Sequence, residues 1–211
     1  MLKSRLKNLL LRFFPRFPLL VLAPGSPACL YLTFDDGPTA TVTAALLDLL
    51  KEQEIKASFF CIGKLIKEEP ELARRIVSDG HMLANHSYNH QAFSRLPVRE
   101  QLAEIDETDK LIAQTSGQQN RFFRVPQGIW SAKLILRLRL KGKIPVHWNY
   151  DSNDYQQGPA SRILEHFASR PVCNGDVILF HDDNMLCVEA LRQLLPEWKE
   201  QGFGFRRIDE A

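Results

Sequence analysis

Apolar residues along this chain follow two rhythms. Short runs rich in β-branched and aromatic residues, Leu30 to Phe34, Ala57 to Ile62, His81 to Ala84, Phe122 to Arg124, Pro145 to Tyr150, Val177 to Phe180 and Phe203 to Ile208, read as strands. Between them, apolar residues recur at three- and four-residue intervals over Thr41 to Lys51, Glu69 to Asp79, Val98 to Thr115, Ser131 to Arg139, Ser161 to Ser169 and Val188 to Gln201. That is the spacing of one helix face, and Gly80 and Gly117 are natural helix stops. Strand and helix alternate about seven times, which predicts an α/β fold of mostly parallel strands with crossover helices outside. The pattern occupies residues 29–211 and leaves residues 1–28 as a separate N-terminal arm.

The polar residues fall at one place in this rhythm. Asp35 and Asp36, His86 and His90, Arg124, Asp154 and His181 all sit just past the C-terminal end of an apolar strand. In parallel barrels that end is the functional face, so residues distant in sequence converge there. Convergence alone does not specify a reaction.

Each signal has an ordinary structural reading. Asp35-Asp36-Gly37-Pro38 is good turn chemistry, yet adjacent carboxylates repel unless a cation lies beside them. His86 and His90, four apart, are expected one above the other on a helical turn, a spacing that lets both imidazoles bind one ion. Two histidines and a carboxylate form a three-ligand set that leaves positions open for water and substrate. Arg124 is either a surface cation or the partner of a buried carboxylate. His181, beside Asp182 and Asp183, is either a core histidine or a proton donor. His81, His147 and His166 are read as structural or exposed.

In order, these residues resemble the polysaccharide deacetylase (NodB-homology) family of carbohydrate esterases. Thr33-Phe34-Asp35-Asp36-Gly37-Pro38 matches its first motif, and His86-Ser87-Tyr88-Asn89-His90 its second. Arg124-Val125-Pro126-Gln127-Gly128, Asp151-Ser152-Asn153-Asp154-Tyr155 and Leu179-Phe180-His181 match the rest, and the resemblance spans roughly residues 30 to 208. It implies a distorted (β/α)7-type barrel. It also implies that Asp36, His86 and His90 hold a divalent metal, usually Zn2+, with Co2+, Ni2+ or Mn2+ also used. Asp35 would be the general base, held by Arg124, and His181 the acid, tuned by Asp154. The backbone N–H of Gln127 would stabilise the oxyanion, and Leu179 would line the pocket for the acyl methyl. Gln127 stands where the family usually has an aromatic residue and Tyr155 where it has Trp, changes that bear on the groove beside the sugar. The implied activity is removal of an N-acetyl or other N-acyl group from an amino sugar in an oligosaccharide, polysaccharide or lipid-linked glycan. Two other readings stay open: a deacylase of a non-sugar amide on the same fold, and a catalytically silent glycan-binding module.

Composition adds little to this. With 45% hydrophobic and 25% charged residues and a net charge of +2, the 211-residue chain is an ordinary globular sequence with no case for nucleic acid as a partner. Cys29, Cys61, Cys173 and Cys187 are scattered without a CxxC, which favours free thiols and a cytoplasmic protein. The arm is different. Residues 1–22 carry Lys3, Arg5, Lys7, Arg12 and Arg16 among Leu and Phe, with no acidic residue. Arg12, Pro15, Arg16 and Pro18 interrupt any membrane span or signal peptide. The arm either packs on its own domain or lies as an interfacial helix on anionic lipid.

Overall fold

The computed structural model describes residues 28–156 and 158–211; the arm, with both of its readings, lies outside them. Among the described residues, eight parallel strands are β1 (Cys29–Asp35), β2 (Ser58–Cys61), β3 (Met82–Asn85), β4 (Phe122–Phe123), β5 (Ile144–Pro145), β6 (Tyr150–Asp151), β7 (Val177–His181) and β8 (Gly204–Phe205). The order across the sheet is β5-β4-β3-β2-β1-β7-β6, and β8 adds to the start of β1. Around them run helices α1 (Val42–Glu52), α2 (Gly63–Glu68), α3 (Pro70–Ser78), α4 (Val98–Ser116), α5 (Ala132–Leu140), α6 (Ser161–Ser169) and α7 (Leu186–Glu200). The result is a parallel half-barrel with helices outside, open between β5 and β6. Among the described residues no helix is long and apolar enough to cross a membrane.

Period-two alternation places the site. In β1, Leu30, Leu32 and Phe34 face the helices and join the main core, whereas Tyr31 lies in the barrel interior with Phe60, Ala84, Val146, Val177 and Ile208. Thr33 and Asp35 therefore share the interior face with Tyr31. The same rule in β7 turns Ile178 and Phe180 outward and puts Val177, Leu179 and His181 on the interior side. Outside the sheet, Phe34 stacks on Phe59 at 5.0 Å and on Phe180 at 6.0 Å, and Phe167 bridges Phe180 to Trp198 of α7. Each such ring, fully buried, contributes about 1.5–3 kcal/mol.

Three elements differ from the sequence pattern. The strand expected over Pro145 to Tyr150 is two fragments: the Val146 N–H still donates to the Phe123 carbonyl at 2.9 Å, after which the chain leaves β4 and rejoins the sheet beside β7 at Tyr150. The strand expected over Phe203 to Ile208 ends at Phe205; a short 3-10 turn, Ile208–Glu210, follows, and the Ile208 N–H donates to Ser58 Oγ at 2.9 Å. Helix α2 was not foreseen, since Gly63 reads as a stop.

Candidate active site

Strand register brings the chemistry to one rim. Asp35 and His181 are lateral partners on β1 and β7, at the last positions of both strands. On the other side the row runs from Asp35 through Phe60 to Ala84, so His86 lies two residues beyond it and one past the end of β3. Asn85 pairs with Phe123, and the Arg124 N–H donates to the Asn85 carbonyl at 3.0 Å, placing Arg124 beside His86.

Asp36, His86 and His90 converge: one donor atom from each lies within 4.8 Å of the others. His90 Nε2 is 3.1 Å and His86 Nε2 3.4 Å from Asp36 Oδ1. Despite these approaches, Asp36 Oδ1 is buried and makes no hydrogen bond among the described residues. Lone pairs aimed at a common point suit a cation better than one another. His86 Nδ1 lies 2.9 Å from the Arg124 carbonyl oxygen, so Nδ1 carries the proton and Nε2 offers its lone pair. Burial depresses the His86 pKa, opposed by the charges of Asp35 and Asp36, and so favours the neutral imidazole that ligation needs. The donor set therefore fits a divalent metal.

The two histidines do not lie on a helical turn. Ser87 and His90 both take left-handed backbone, with φ of 71° and 52°, and the segment is an irregular loop. Side chains that sequence reading missed hold it. The Glu104 carboxylate of α4 accepts from the N–H groups of Tyr88 (3.0 Å) and Asn89 (2.7 Å) and from the Asn89 amide. Asn85 Oδ1 accepts from the Ser87 N–H at 2.8 Å. The rings meet at 4.9 Å and a 40° tilt, close enough to serve one ion.

Asp35 is 2% exposed and Arg124 wholly buried. Arg124 Nη1 donates to Asp35 Oδ1 at 2.7 Å and to Thr33 Oγ1 at 2.8 Å, while its guanidinium lies 4.1 Å above the Phe60 ring. Burial works against the Arg124 charge, and the Asp35 carboxylate opposes that loss. Asp35 Oδ2 is left facing His86 Nε2 at 3.6 Å.

Across the rim, the carboxylate of Asp154 grips His181 twice. Its Oδ2 accepts the His181 backbone N–H and its Oδ1 lies by Nδ1, both at 2.7 Å. Burial alone would lower the His181 pKa, but Asp154, aided by Asp35 and Asp36, raises it to about 9. Nε2 is then a protonated donor at neutral pH.

Of the remaining expected residues, Tyr155 and Leu179 lie beside His181, and Gln127 follows Arg124 by three residues. Gln127 is exposed, with left-handed backbone (φ 58°, ψ 9°), in the turn Pro126–Gly128. A Cβ on Gly128 (φ 65°) would lie 2.6 Å from the Trp148 ring, so only glycine lets that turn rest on the indole. Tyr155 is 58% exposed and meets the His181 ring edge-on at 5.8 Å. Leu179, 2% exposed, lies two residues below His181 on the interior face. His81 accepts the Ala57 N–H at 3.1 Å and is buried, its pKa lowered by burial to about 4. His166 Nε2 contacts the Asp151 carbonyl and His147 stacks on Trp148, so none of the three joins the ligand set. All four cysteines are free.

A family model for polysaccharide deacetylases matches residues 23–143, more than half of the chain. The chain belongs to that family. The chitooligosaccharide deacetylase of Sinorhizobium fredii is 32% identical over 200 residues, covering 88% of this chain and 92% of the relative. The peptidoglycan deacetylase PdaC from Bacillus subtilis superposes with a TM-score of 0.82 at 27% identity, covering 90% of this chain and 91% of PdaC. The Bc1960 peptidoglycan N-acetylglucosamine deacetylase superposes at 0.84 with 29% identity, covering 89% of each chain. The reaction class follows: a polysaccharide deacetylase is a carbohydrate N-deacetylase, a hydrolase of linear amides.

Proposed function

We propose that this chain removes the N-acetyl group from an amino sugar in a glycan, with Asp36, His86 and His90 holding a divalent metal. The supporting observation is the convergence of those three donors within 4.8 Å, with Asp35 and His181 in register beside them. Two imidazole nitrogens and one carboxylate oxygen are a zinc-type catalytic set with open positions, so Zn2+ is the proposed native ion; Co2+, Ni2+ and Mn2+ suit the same donors. Such an ion supplies Lewis acidity, lowering the pKa of a water and polarising the amide carbonyl.

The chain's own groups do the rest. Asp35, its Oδ1 fixed by Arg124, takes the proton of the attacking water at Oδ2 as the new C–O bond forms. The Gln127 backbone N–H donates to the developing oxyanion. His181 Nε2 gives its proton to the leaving amine as the C–N bond breaks, and Asp154 holds the imidazolium in place. The proton on Asp35 then returns to His181, completing the cycle. Leu179 bounds the acyl methyl. Tyr155 and Gln127 line the approach for the sugar.

Named relatives act on chitooligosaccharide or on peptidoglycan N-acetylglucosamine, so short N-acetylglucosamine oligomers are the first substrates to test. Acetate release from them, abolished by a chelator and restored by zinc, is the expected result. Chelator-insensitive release would remove the metal assignment, and no release from any acylated amino sugar would remove the function.

A further inference from the structure

Helix α5 carries two apolar stripes. Leu134 and Leu138 are buried with Phe123 and Val125. Leu136 and Leu140, also four residues apart, are 58% and 72% exposed. Residues four apart stack on one side of a helix and residues two apart lie on opposite sides, so the second stripe faces solvent directly away from the first. Around the helix axis, Arg139 borders the exposed leucines on one side and Lys133 and Arg137 on the other, and all three cations are exposed. The sequence from Lys110 to Tyr150 contains no Asp or Glu. The nearby acids of α4, Asp106 and Asp109, are engaged by Lys141 and Lys143 at 2.7 and 2.5 Å. Ile129, 50% exposed, lies in the short segment between the Pro126–Gly128 turn that carries Gln127 and the start of α5.

The flanking charge selects the partner. A second copy of this chain docking leucine to leucine about a twofold axis would set like cations against each other. A soluble anionic glycan would pair with Lys133 and Arg137 and leave the leucines in water. An anionic lipid surface satisfies both, with leucines at the headgroup–acyl boundary and cations against phosphate. We propose that α5 and Ile129 form a docking face for an anionic lipid surface, which brings the site rim to glycan carried on lipid there. The substrate half rests on the deacetylase reading above; the docking half does not.

The test is flotation of the full chain with phosphatidylglycerol-containing vesicles and with pure phosphatidylcholine vesicles, with acetate release from soluble N-acetylglucosamine oligomers assayed in parallel. The chain should float with the anionic vesicles only. L136Q/L140Q should partition about tenfold more weakly, and K133Q and R137Q each about fivefold more weakly at low salt. All three variants should release acetate from the soluble oligomers at the wild-type rate. Variants that float like wild type would assign any binding to residues 1–22 and overturn the proposal. So would a full chain that never floats, or sedimentation showing that L136Q/L140Q turns a dimer into a monomer. Normal flotation without acetate release from any substrate would instead overturn the deacetylase reading and leave the docking face standing.

Discussion

The Asp182 carboxylate stands where a side chain on Gly37 would begin: a Cβ there would lie 2.1 Å from Oδ2 and 2.4 Å from Oδ1. Asp182 has no freedom to yield. Its Oδ2 accepts from Thr43 Oγ1 at 2.5 Å, its N–H donates to the Asp35 carbonyl at 3.0 Å, and its carbonyl accepts from Thr39 Oγ1 at 2.6 Å. Gly37→Ala should therefore push the strain into the adjacent Asp35-Asp36 loop, at a cost of about 1–3 kcal/mol. Thermal melting with and without zinc reads both effects: Tm should fall by several degrees, and the rise on adding zinc should shrink. An unchanged zinc-dependent rise would show that the ligand geometry does not depend on this contact.

Base and ligand roles separate by metal content. Asp35→Asn keeps the three donors and should retain metal while losing about 10²–10⁴ in kcat. His86→Ala removes a donor and should lose both metal and turnover. Elemental analysis of the two purified variants decides; equal metal in His86→Ala and wild type would contradict the ligand assignment.

His181 predicts the alkaline limb. A proton donor must be protonated, so activity should fall as pH rises through the His181 pKa, which Asp154, Asp35 and Asp36 raise to about 9 in the metal-free protein. A bound cation offsets the part contributed by Asp35 and Asp36, which moves the limb of the loaded enzyme down toward the ordinary value of about 6.5. The stability sign is the same. The folded-state pKa is raised, so the stabilisation is complete below about 6.5 and is lost as pH climbs through about 9. Asp154→Asn should shift the limb lower, and a pH–rate profile unmoved by His181→Ala would rule out His181 as the acid.

Arg124 serves the site through two different groups. Its carbonyl orients His86 and its guanidinium fixes Asp35. Arg124→Ala leaves the Asp35 charge buried without a partner, which should cost about 3–5 kcal/mol. A Lys at this position retains the carbonyl and a charge but cannot reproduce the guanidinium plane over Phe60. Arg124→Lys should accordingly keep metal and lose turnover, a split that elemental analysis and acetate release measure together.

Much of this site was legible because its chemistry is written in short motifs at strand ends. Asp35-Asp36, the His86 and His90 spacing, and His181 after an apolar run are each ambiguous alone, and their order, through the family resemblance, is what marks the site. The geometry that joins them was not legible. Four-residue spacing implied a helical turn, but Ser87 and His90 have positive φ, which no local pattern marked. Glu104 looks like one more charge on an exposed helix, and only packing of α4 against the β3 loop reveals it as that loop's anchor. Helix α2 was hidden by Gly63, a residue usually read as a breaker. It is needed at a helix start because Thr108 and Tyr88 leave no room for a Cβ. The fold class was clear from alternation, whereas the two fragments β5 and β6 were not, because the run continues unbroken through the crossing from β4 to β7.

A half-barrel that fails to close leaves two borders where a foreign strand could attach and seed fibrils. Here both borders are two residues long, and one contains Pro145, which has no amide hydrogen to offer. The gap in the wall is thus a poor template for intermolecular pairing, and the chain should tolerate concentration without the aggregation that a longer, flatter margin would invite.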